Sequence, residues 1–260
     1  MSTIRRIVMA MFVFAAVATV ATAQEDGMPL SFDFSLDSAS QYVWRGQPLN
    51  DEGVLQPSFT VSGFGVSLNW WGNFDTSTGD DGTVTSDNFS EHDWTISYGI
   101  DIPDTPLSAE IGAIYYYFPR ISGDNSTNEA YVSLAADVLL APSITVYYDY
   151  DFADGFYITA GIEHSIALDF IDPNLSLDGA VSVGWADSDY NMAYFGIDDG
   201  AFNDVTASLG LSYAVNESFS VGASLVATEM LDSDIEAVID ANPVRSSGNL
   251  FYVLSMSVSF

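Results

Sequence analysis

The chain has 260 residues, no cysteine and a formal net charge of −31, with 36 acidic residues against five basic ones. The lack of cysteine excludes a disulfide framework and a thiolate metal site. Nucleic-acid binding is excluded as well, because neutralising phosphates requires a basic surface. The acidity fits either a lumen that attracts cations or a surface suited to a salty habitat, and composition favours neither interpretation.

Residues 1–23 have the pattern of a secretory signal peptide. Arg5 and Arg6 precede an apolar run, and an Ala-x-Ala site ends at Ala23. We therefore expect export, cleavage after Ala23 and a single barrel domain over residues 24–260. That mature part contains no lysine and three arginines, which are Arg45, Arg120 and Arg245.

Twelve segments of the mature part alternate between apolar and polar residues with the period of two that is typical of β-strands. In the first segment, for example, Phe32 and Phe34 share one face, while Asp33 and Asp37 share the other. The twelve predicted strands are Leu30–Arg45, Val54–Ser62, Val66–Phe74, Asp93–Ile102, Leu107–Tyr117, Ala130–Val138, Ile144–Tyr150, Phe156–Leu168, Leu175–Trp185, Val205–Tyr213, Phe219–Leu225 and Gly248–Phe260.

The connections between these segments indicate how they are arranged. Every second connection is short and rich in Pro, Gly or Asn, while the others are mostly longer and polar. No segment of the mature part reaches the roughly 18 to 20 unbroken apolar residues that a spanning helix needs. The sequence therefore predicts an all-β fold, an antiparallel up-and-down transmembrane β-barrel of about 12 strands, with short periplasmic turns and longer external loops. A β-sandwich is the alternative fold.

The last segment, Gly248–Phe260, has one uniformly apolar face and ends on an aromatic residue. A strand of this kind resembles the signal by which bacterial outer-membrane barrels are recognised for insertion, although a soluble edge strand has a similar pattern. We therefore expect the Gram-negative outer membrane as the location, its lipid as a partner, and the barrel-assembly machinery as a second partner through Phe260. The loop before this strand contains Asp232–Ile239, which fits either a short helix over the barrel mouth or an irregular loop.

The order of short motifs from Tyr42 onward resembles the Gcw_chp family of uncharacterised bacterial outer-membrane proteins. The motifs that carry the resemblance are Tyr42–Gly46, Ser62–Phe64 with Trp71-Gly72, Glu91–Asp93, Tyr117–Pro119, Asn128–Tyr131 and Tyr147–Asp151. The resemblance covers most of the mature chain and implies an outer-membrane barrel with no established biochemical activity. The low basic content departs from what is expected of an average member of that family.

The inward positions of the predicted barrel carry mostly Ser, Thr, Gly and Ala, which are too small to fill a twelve-stranded cross-section. Water, a plug or folded-in loops must therefore occupy the lumen. Several charged residues share the inward parity, and the candidate pore-lining residues are Asp33, Asp37, Arg45, Glu110, Asp137, Asp149, Asp151 and Glu163. Carboxylates in such a wall favour cations over anions. Arg45 then either pairs with acids at an outer constriction or ties strands together through a buried ion pair.

The sequence therefore predicts a passive porin-like channel for small hydrophilic or cationic solutes. The alternative is a closed structural barrel that acts through its external loops. We expect no enzyme activity, because neither His92 nor His164 has the Ser and Asn spacing of barrel phospholipases and no pair of acids stands out as that of a carboxylate-based protease. We expect no cofactor and assign no metal site. The acidic loops Asp75–Asp87 and Asp187–Asp199 fit either divalent-ion binding or plain solvation.

Overall fold

The computed structural model describes residues 30–77 and 88–260, in which fourteen strands and two helices occur. The strands are β1 (Ser31–Ala39), β2 (Tyr42–Trp44), β3 (Gln47–Asn50), β4 (Val54–Gly63), β5 (Val66–Asp75), β6 (Asn88–Asp101), β7 (Leu107–Tyr117), β8 (Ser126–Ala136), β9 (Ser143–Asp149), β10 (Gly155–Ala167), β11 (Leu175–Ala186), β12 (Ala201–Asn216), β13 (Phe219–Met230) and β14 (Gly248–Ser259). The helices are α1 (Ser188–Phe195) and α2 (Ser233–Asp240). The predicted signal peptide lies outside the described residues.

Twelve of these strands, β1 and β4 to β14, form one closed antiparallel barrel in which neighbours in the chain are neighbours in the sheet. The barrel closes where β14 pairs with β1, in a register that places Asp33 opposite Ser259. On its other side β1 pairs with β4, with Ser31 opposite Ser62. The predicted twelve-stranded transmembrane barrel is therefore confirmed, and no barrel strand is left with an unpaired edge.

The outer surface of the barrel is an apolar band. Leu68, Ile96 and Leu209 alternate with inward residues along their strands, and each is more than half exposed. Such a large continuous apolar surface suits the hydrocarbon core of a membrane rather than water. In the described part of the chain, neither helix is long and apolar enough to cross a membrane.

The two ends of the barrel differ in the segments that connect its strands. At the end that we call the turn end, β4 and β5 are joined by Phe64 and Gly65 alone, and both have positive φ. Such a two-residue turn matches the twist of the strands that it joins. Leu30 and Phe260 lie at this end, because Ser31 pairs with Ser62 and Phe32 exchanges backbone hydrogen bonds with Phe260. The opposite end, the loop end, carries both helices and the hairpin β2–β3.

The first predicted strand was too long. The barrel strand β1 stops at Ala39, and residues 42–50 form the separate two-stranded hairpin β2–β3, which we call the lumenal hairpin. Tyr42 in this hairpin is hydrogen-bonded to β6, and Arg45 to β8, while Gly46 lies against side chains of β12 and β13. Since these strands belong to opposite walls, the hairpin must lie inside the barrel.

The two helices cap the loop end. Asp232 caps α2 by accepting hydrogen bonds from backbone amides of its first turn, and Ile235 and Ile239 are buried on one face, as the helical interpretation of this segment expects. Helix α1, capped by Asp187, was not predicted, because its sequence lies in a polar loop with no apolar periodicity. Both helices contribute to a buried apolar cluster that also includes Tyr157, Ala186 and Met230. The apolar core of this protein therefore lies at the loop end.

We expect Gly46→Ala to destabilise the protein strongly. Arg45 and Gly46 form the two-residue turn of the lumenal hairpin and both have positive φ. A methyl group on Gly46 would lie 2.5 Å from Met230 Sδ and 2.7 Å from Asp204 Cβ. Overpacking of this kind lowers the free energy of unfolding by about 1–3 kcal/mol, measured by urea unfolding in lipid vesicles. Gly123→Ala is the control, because Gly123 has positive φ but open space. Equal losses in both variants would contradict the close packing of the turn.

Candidate functional site

The centre of the lumen at the loop end is an ion pair between Arg45 and Glu129. Arg45 Nη1 lies 2.7 Å from Glu129 Oε1, and Arg45 Nη2 lies 2.7 Å from Glu129 Oε2, so the contact is bidentate. The two side chains are 9% and 1% exposed. A second donor to Glu129 is the hydroxyl of Tyr116 on β7, at 2.8 Å. Bidentate geometry and burial make this pair a strong and directional contact.

Four aromatic rings surround the Arg45 guanidinium. Its Cζ atom lies 4.2 Å from the ring centre of Tyr157, 4.5 Å from Trp44, 4.6 Å from Tyr147 and 5.6 Å from Tyr190. Arg45 Nη1 also donates a hydrogen bond of 3.0 Å to the Tyr190 hydroxyl of α1. The π-faces of these rings attract the cation electrostatically, which offsets part of its loss of water. The lumenal hairpin is therefore held to the β8–β10 wall and to α1 by one side chain.

Hydrogen bonds hold the two strands of the hairpin to β5 and β6 as well. The Tyr42 hydroxyl donates to Glu91 Oε2 at 2.9 Å, and Asn50 Nδ2 donates to Asp75 Oδ1 at 2.8 Å. Asp75 is also paired with Arg120 at 2.6 Å. Burial raises the pKa of the Tyr42 phenol well above its usual value, and the Glu91 carboxylate adds to this effect. Tyr42 is therefore a neutral hydrogen-bond donor.

Asp149, a predicted pore-lining residue, has a structural role at the end of β9. Its Oδ1 atom accepts hydrogen bonds from Thr127 at 2.8 Å and from the Phe152 amide at 2.9 Å. Its Oδ2 atom accepts one from the Tyr194 hydroxyl of α1 at 3.1 Å. Asp149 therefore closes the β9–β10 turn and fixes α1 over the lumen.

The hairpin does not fill the lumen evenly. Two cavities remain beside the hairpin, which we call the outer cavity, bordered mainly by β6 to β8, and the middle cavity, bordered by β4 to β7 and β14. The outer cavity, of about 310 Å³, lies near the loop end and includes Glu91, Phe118 and Tyr194 in its lining. The middle cavity, of about 400 Å³, lies deeper and includes Asp93 and Trp71.

Trp44 and Tyr116 line both cavities and stand between them. Their ring centres are 6.2 Å apart, and their planes are close to perpendicular. Glu91 and Asp93 are two residues apart on β6, so both point inward, one into each cavity. The pair of rings therefore forms a constriction with one carboxylate on either side of it.

The turn-end half of the lumen is wide and lined by small residues. A cavity of about 790 Å³ is bordered by Glu163, Asp178 and several Ser and Gly residues of β10 to β13. A second one, of about 410 Å³, is bordered by Glu110 and the β4–β5 turn. Glu110 itself accepts hydrogen bonds from Tyr131 at 2.6 Å and Ser97 at 3.2 Å. The prediction that small inward residues leave space for folded-in loops or water therefore describes both halves of this barrel.

The structure separates the predicted pore-lining residues rather than collecting them into one site. Asp33 and Asp37 lie on β1, Glu110 on β7 and Glu163 on β10. Asp137 and Asp151 lie in exposed turns just beyond β8 and β9. Asp137 does so because β8 ends at Ala136 rather than at the predicted Val138, whereas Asp151 follows the predicted strand Ile144–Tyr150 as well. Arg45 lies in the turn of the lumenal hairpin and not in a barrel strand.

Three acids that face the hairpin were missing from the prediction. Glu91 and Asp93 lie near the start of β6. Glu91 precedes the predicted strand Asp93–Ile102, and Asp93 is the first residue of that strand. Glu129 precedes Ala130, whose outward parity already indicated that Glu129 points inward. Extending the period-two alternation by a few residues before each predicted strand predicts that all three acids point inward.

The two histidines, His92 and His164, lie in different surroundings. His92 is stacked within an aromatic group on β5 to β7, with ring centres 4.7 Å from Phe89, 5.8 Å from Trp94 and 5.9 Å from Trp70. His164 is exposed on β10. In residues 30–77 and 88–260, no three His, Asp or Glu side chains are grouped as metal ligands. Most of the acidic loop 75–87 lies outside the described residues.

Comparison with known proteins supports the fold. No protein-family model and no curated protein sequence matches this chain. Among solved structures, a NanC porin superposes with a TM-score of 0.53 at 11% identity, over 86% of this chain and 98% of that one. A KdgM porin gives 0.49 at 12% identity, over 88% and 99%. Outer membrane phospholipase A from Escherichia coli gives 0.44 at 11% identity, over 91% and 94%. The NanC match shows the fold of an outer-membrane barrel, and at this identity it shows the fold alone.

We expect the Arg45–Glu129 pair to behave as a coupled unit. Arg45→Met leaves the buried Glu129 carboxylate without its counter-charge, and Glu129→Gln leaves the Arg45 guanidinium without its own. Each variant should lower the free energy of unfolding by about 3–5 kcal/mol. The double variant should lose clearly less than the sum of the two, measured by denaturant unfolding in lipid vesicles. The Arg120–Asp75 pair is the control, because the Arg120 side chain is 23% exposed and should show weaker coupling. Additive losses at Arg45 and Glu129 would contradict the arrangement.

Proposed function

We propose that this protein is a channel of the bacterial outer membrane that passes small hydrophilic cations through a constriction formed by its own lumenal hairpin. The observation that carries the proposal is the set of cavities in the lumen between the loop end and the turn end. The outer and middle cavities lie on either side of Trp44 and Tyr116, and the larger cavity of about 790 Å³ lies toward the turn end, against β10 to β13. A narrow path with wide vestibules favours permeation of small solutes over large ones.

The charge of the path supports cations as the solutes. Glu91 borders the outer cavity, Asp93 the middle cavity, and Glu110 and Glu163 the turn-end cavities. The chain has no lysine, and two of the three mature arginines are held in ion pairs with Glu129 and Asp75. Carboxylates in a low-dielectric wall lower the energy of a cation and raise that of an anion. A passive channel of this kind needs neither a cofactor nor a catalytic residue.

The surface of the barrel and the sequence support a location in the outer membrane. The apolar outer band, the closed barrel and the predicted signal peptide suit insertion into an outer membrane, with the turn end toward the periplasm. The resemblance to the Gcw_chp family stays part of this proposal, as does recognition of Phe260 by the barrel-assembly machinery. A second candidate function is a closed barrel that acts through its loops, and the tight packing of the hairpin against β8–β13 favours it.

We expect the refolded mature protein to give steady, cation-selective conductance in a planar bilayer under a salt gradient. Asp93→Asn removes a carboxylate beside the constriction, so the cation preference should fall. A loss of about 1 kcal/mol corresponds to about a fivefold smaller permeability ratio. The reversal potential measures this ratio. Glu229→Gln is the control, because Glu229 is exposed on the outside of β13. A barrel that is folded but electrically silent would support the closed barrel instead.

We also expect Trp44→Ala to raise the single-channel conductance severalfold. The indole of Trp44 borders both the outer and the middle cavity, and its removal joins them. The cation preference should persist, because Glu91 and Asp93 remain in place. Trp94→Ala serves as the control, since Trp94 is exposed on the outer face of β6. Unchanged conductance in a folded Trp44→Ala barrel would show that the path does not pass this ring.

A further inference from the structure

The middle cavity has the features of a binding site as well as those of a passage. Its lining combines side chains of the barrel wall, such as Asp93 and Trp71, with side chains of the hairpin segment, such as Gln41 and Tyr42. A volume of about 400 Å³ lies within the range of small-molecule sites in proteins. The cavity is therefore large enough for a compact organic molecule.

Two buried oxygen atoms at this cavity have no hydrogen-bond partner within the described part of the chain. They are Oδ1 of Asp93 and Oε1 of Gln41. Buried polar atoms are nearly always hydrogen-bonded in folded proteins, because leaving one unpaired is unfavourable. The amide oxygen of Gln41 is an acceptor, as are both oxygens of an ionised Asp93, so a matching ligand must supply N–H or O–H donors.

The charge around the cavity selects among such donors. Neither Arg45, in the turn of the lumenal hairpin, nor Arg120, beyond the end of β7, lines the cavity, and both are already paired, with Glu129 and Asp75. Glu91, two residues before Asp93 on β6, adds a further carboxylate. A positively charged ligand favours the ionised form of the Asp93 carboxyl, while an anion disfavours it. The donors should therefore belong to an ammonium or guanidinium group.

The walls favour an organic cation over a metal ion. The rings of Tyr42 and Trp71 lie 5.7 Å apart at a tilt of 50°, and both border the cavity together with Trp44 and Tyr116. Aromatic faces attract organic cations and pack against apolar groups. The protein holds a guanidinium in the same manner next to the cavity, where Arg45 lies among aromatic rings against a carboxylate.

We propose that the middle cavity binds a small organic cation with N–H donors, of the alkylammonium or guanidinium class, through Asp93, Gln41 and the rings of Tyr42 and Trp71. The charged group donates to the side-chain oxygens of Asp93 and Gln41, and the apolar body packs against the rings. This inference deepens the proposed function, because its role in transport rests on the channel, but binding itself does not require conduction.

Phenethylammonium is the probe, titrated calorimetrically into the mature protein in lipid nanodiscs, with empty nanodiscs as the blank. The expected result is saturable binding of phenethylammonium. The affinity for 2-phenylethanol, which lacks the charge, should be at least tenfold lower. The affinity should also be lower for phenethyltrimethylammonium, which lacks the N–H donors. Asp93→Asn should weaken binding at least tenfold, and Glu229→Gln should leave it unchanged. Gln41→Leu, on the hairpin segment, provides a second variant that should weaken binding if Asp93→Asn does not fold.

The outcomes separate this inference from the proposed function. Saturable binding that depends on Asp93 in a silent barrel would support the site and contradict the channel. Cation-selective conductance without saturable binding would support the channel and overturn the site. Binding that is equal for the charged probe and for 2-phenylethanol, or that is unchanged in both variants, would overturn the site as well.

Discussion

The rest of the structure depends on one buried cation, the guanidinium of Arg45. A charge in the lumen of a barrel is stable only with a partner and with replacement of the water that it loses. Glu129 provides the bidentate partner, and four aromatic rings provide the replacement. These rings come from the hairpin, from β9, from β10 and from α1, so the single side chain fixes four elements relative to one another. Packing of the loop end is therefore linked to pairing of this charge.

The position of Arg45 also explains why the lumen is filled unevenly. The ion pair draws the hairpin toward β8–β10, where apolar and aromatic side chains pack against it. On the opposite side Tyr42 and Asn50 reach the wall through hydrogen bonds to acids, and such contacts leave larger gaps than apolar packing. The space that remains is consequently next to carboxylates. A charge placed for structural reasons thus leaves an acidic path along the other wall.

Most of the fold could be predicted from the period-two pattern, because residues that face lipid must be apolar and residues that face the lumen need not be. The lumenal hairpin could not. The alternation of the first strand continues through Val43 and Arg45, and it gives no sign that the chain leaves the barrel wall after Ala39. The turn of the hairpin is formed by Arg45 and Gly46, a weaker turn signal than Asn-Gly or Asp-Gly. The partners of Arg45 are 84 and 145 residues away in the chain, so only the closed barrel brings them together.

The middle cavity is lined by two parts of the protein that lie far apart in the sheet topology, the barrel wall and the segment that leaves it. Asp93 and Trp71 belong to the barrel wall, which is held by continuous strand pairing, while Gln41 and Tyr42 belong to the segment that leaves the wall after β1. A ligand that contacts both parts has higher affinity for the folded-in hairpin than for any displaced one. It would therefore stabilise the folded-in state by its differential affinity alone. Occupancy of the cavity and the width of the constriction are then coupled through the same few side chains, with Tyr42 and Trp44 facing the solute and the adjacent Arg45 holding them in place.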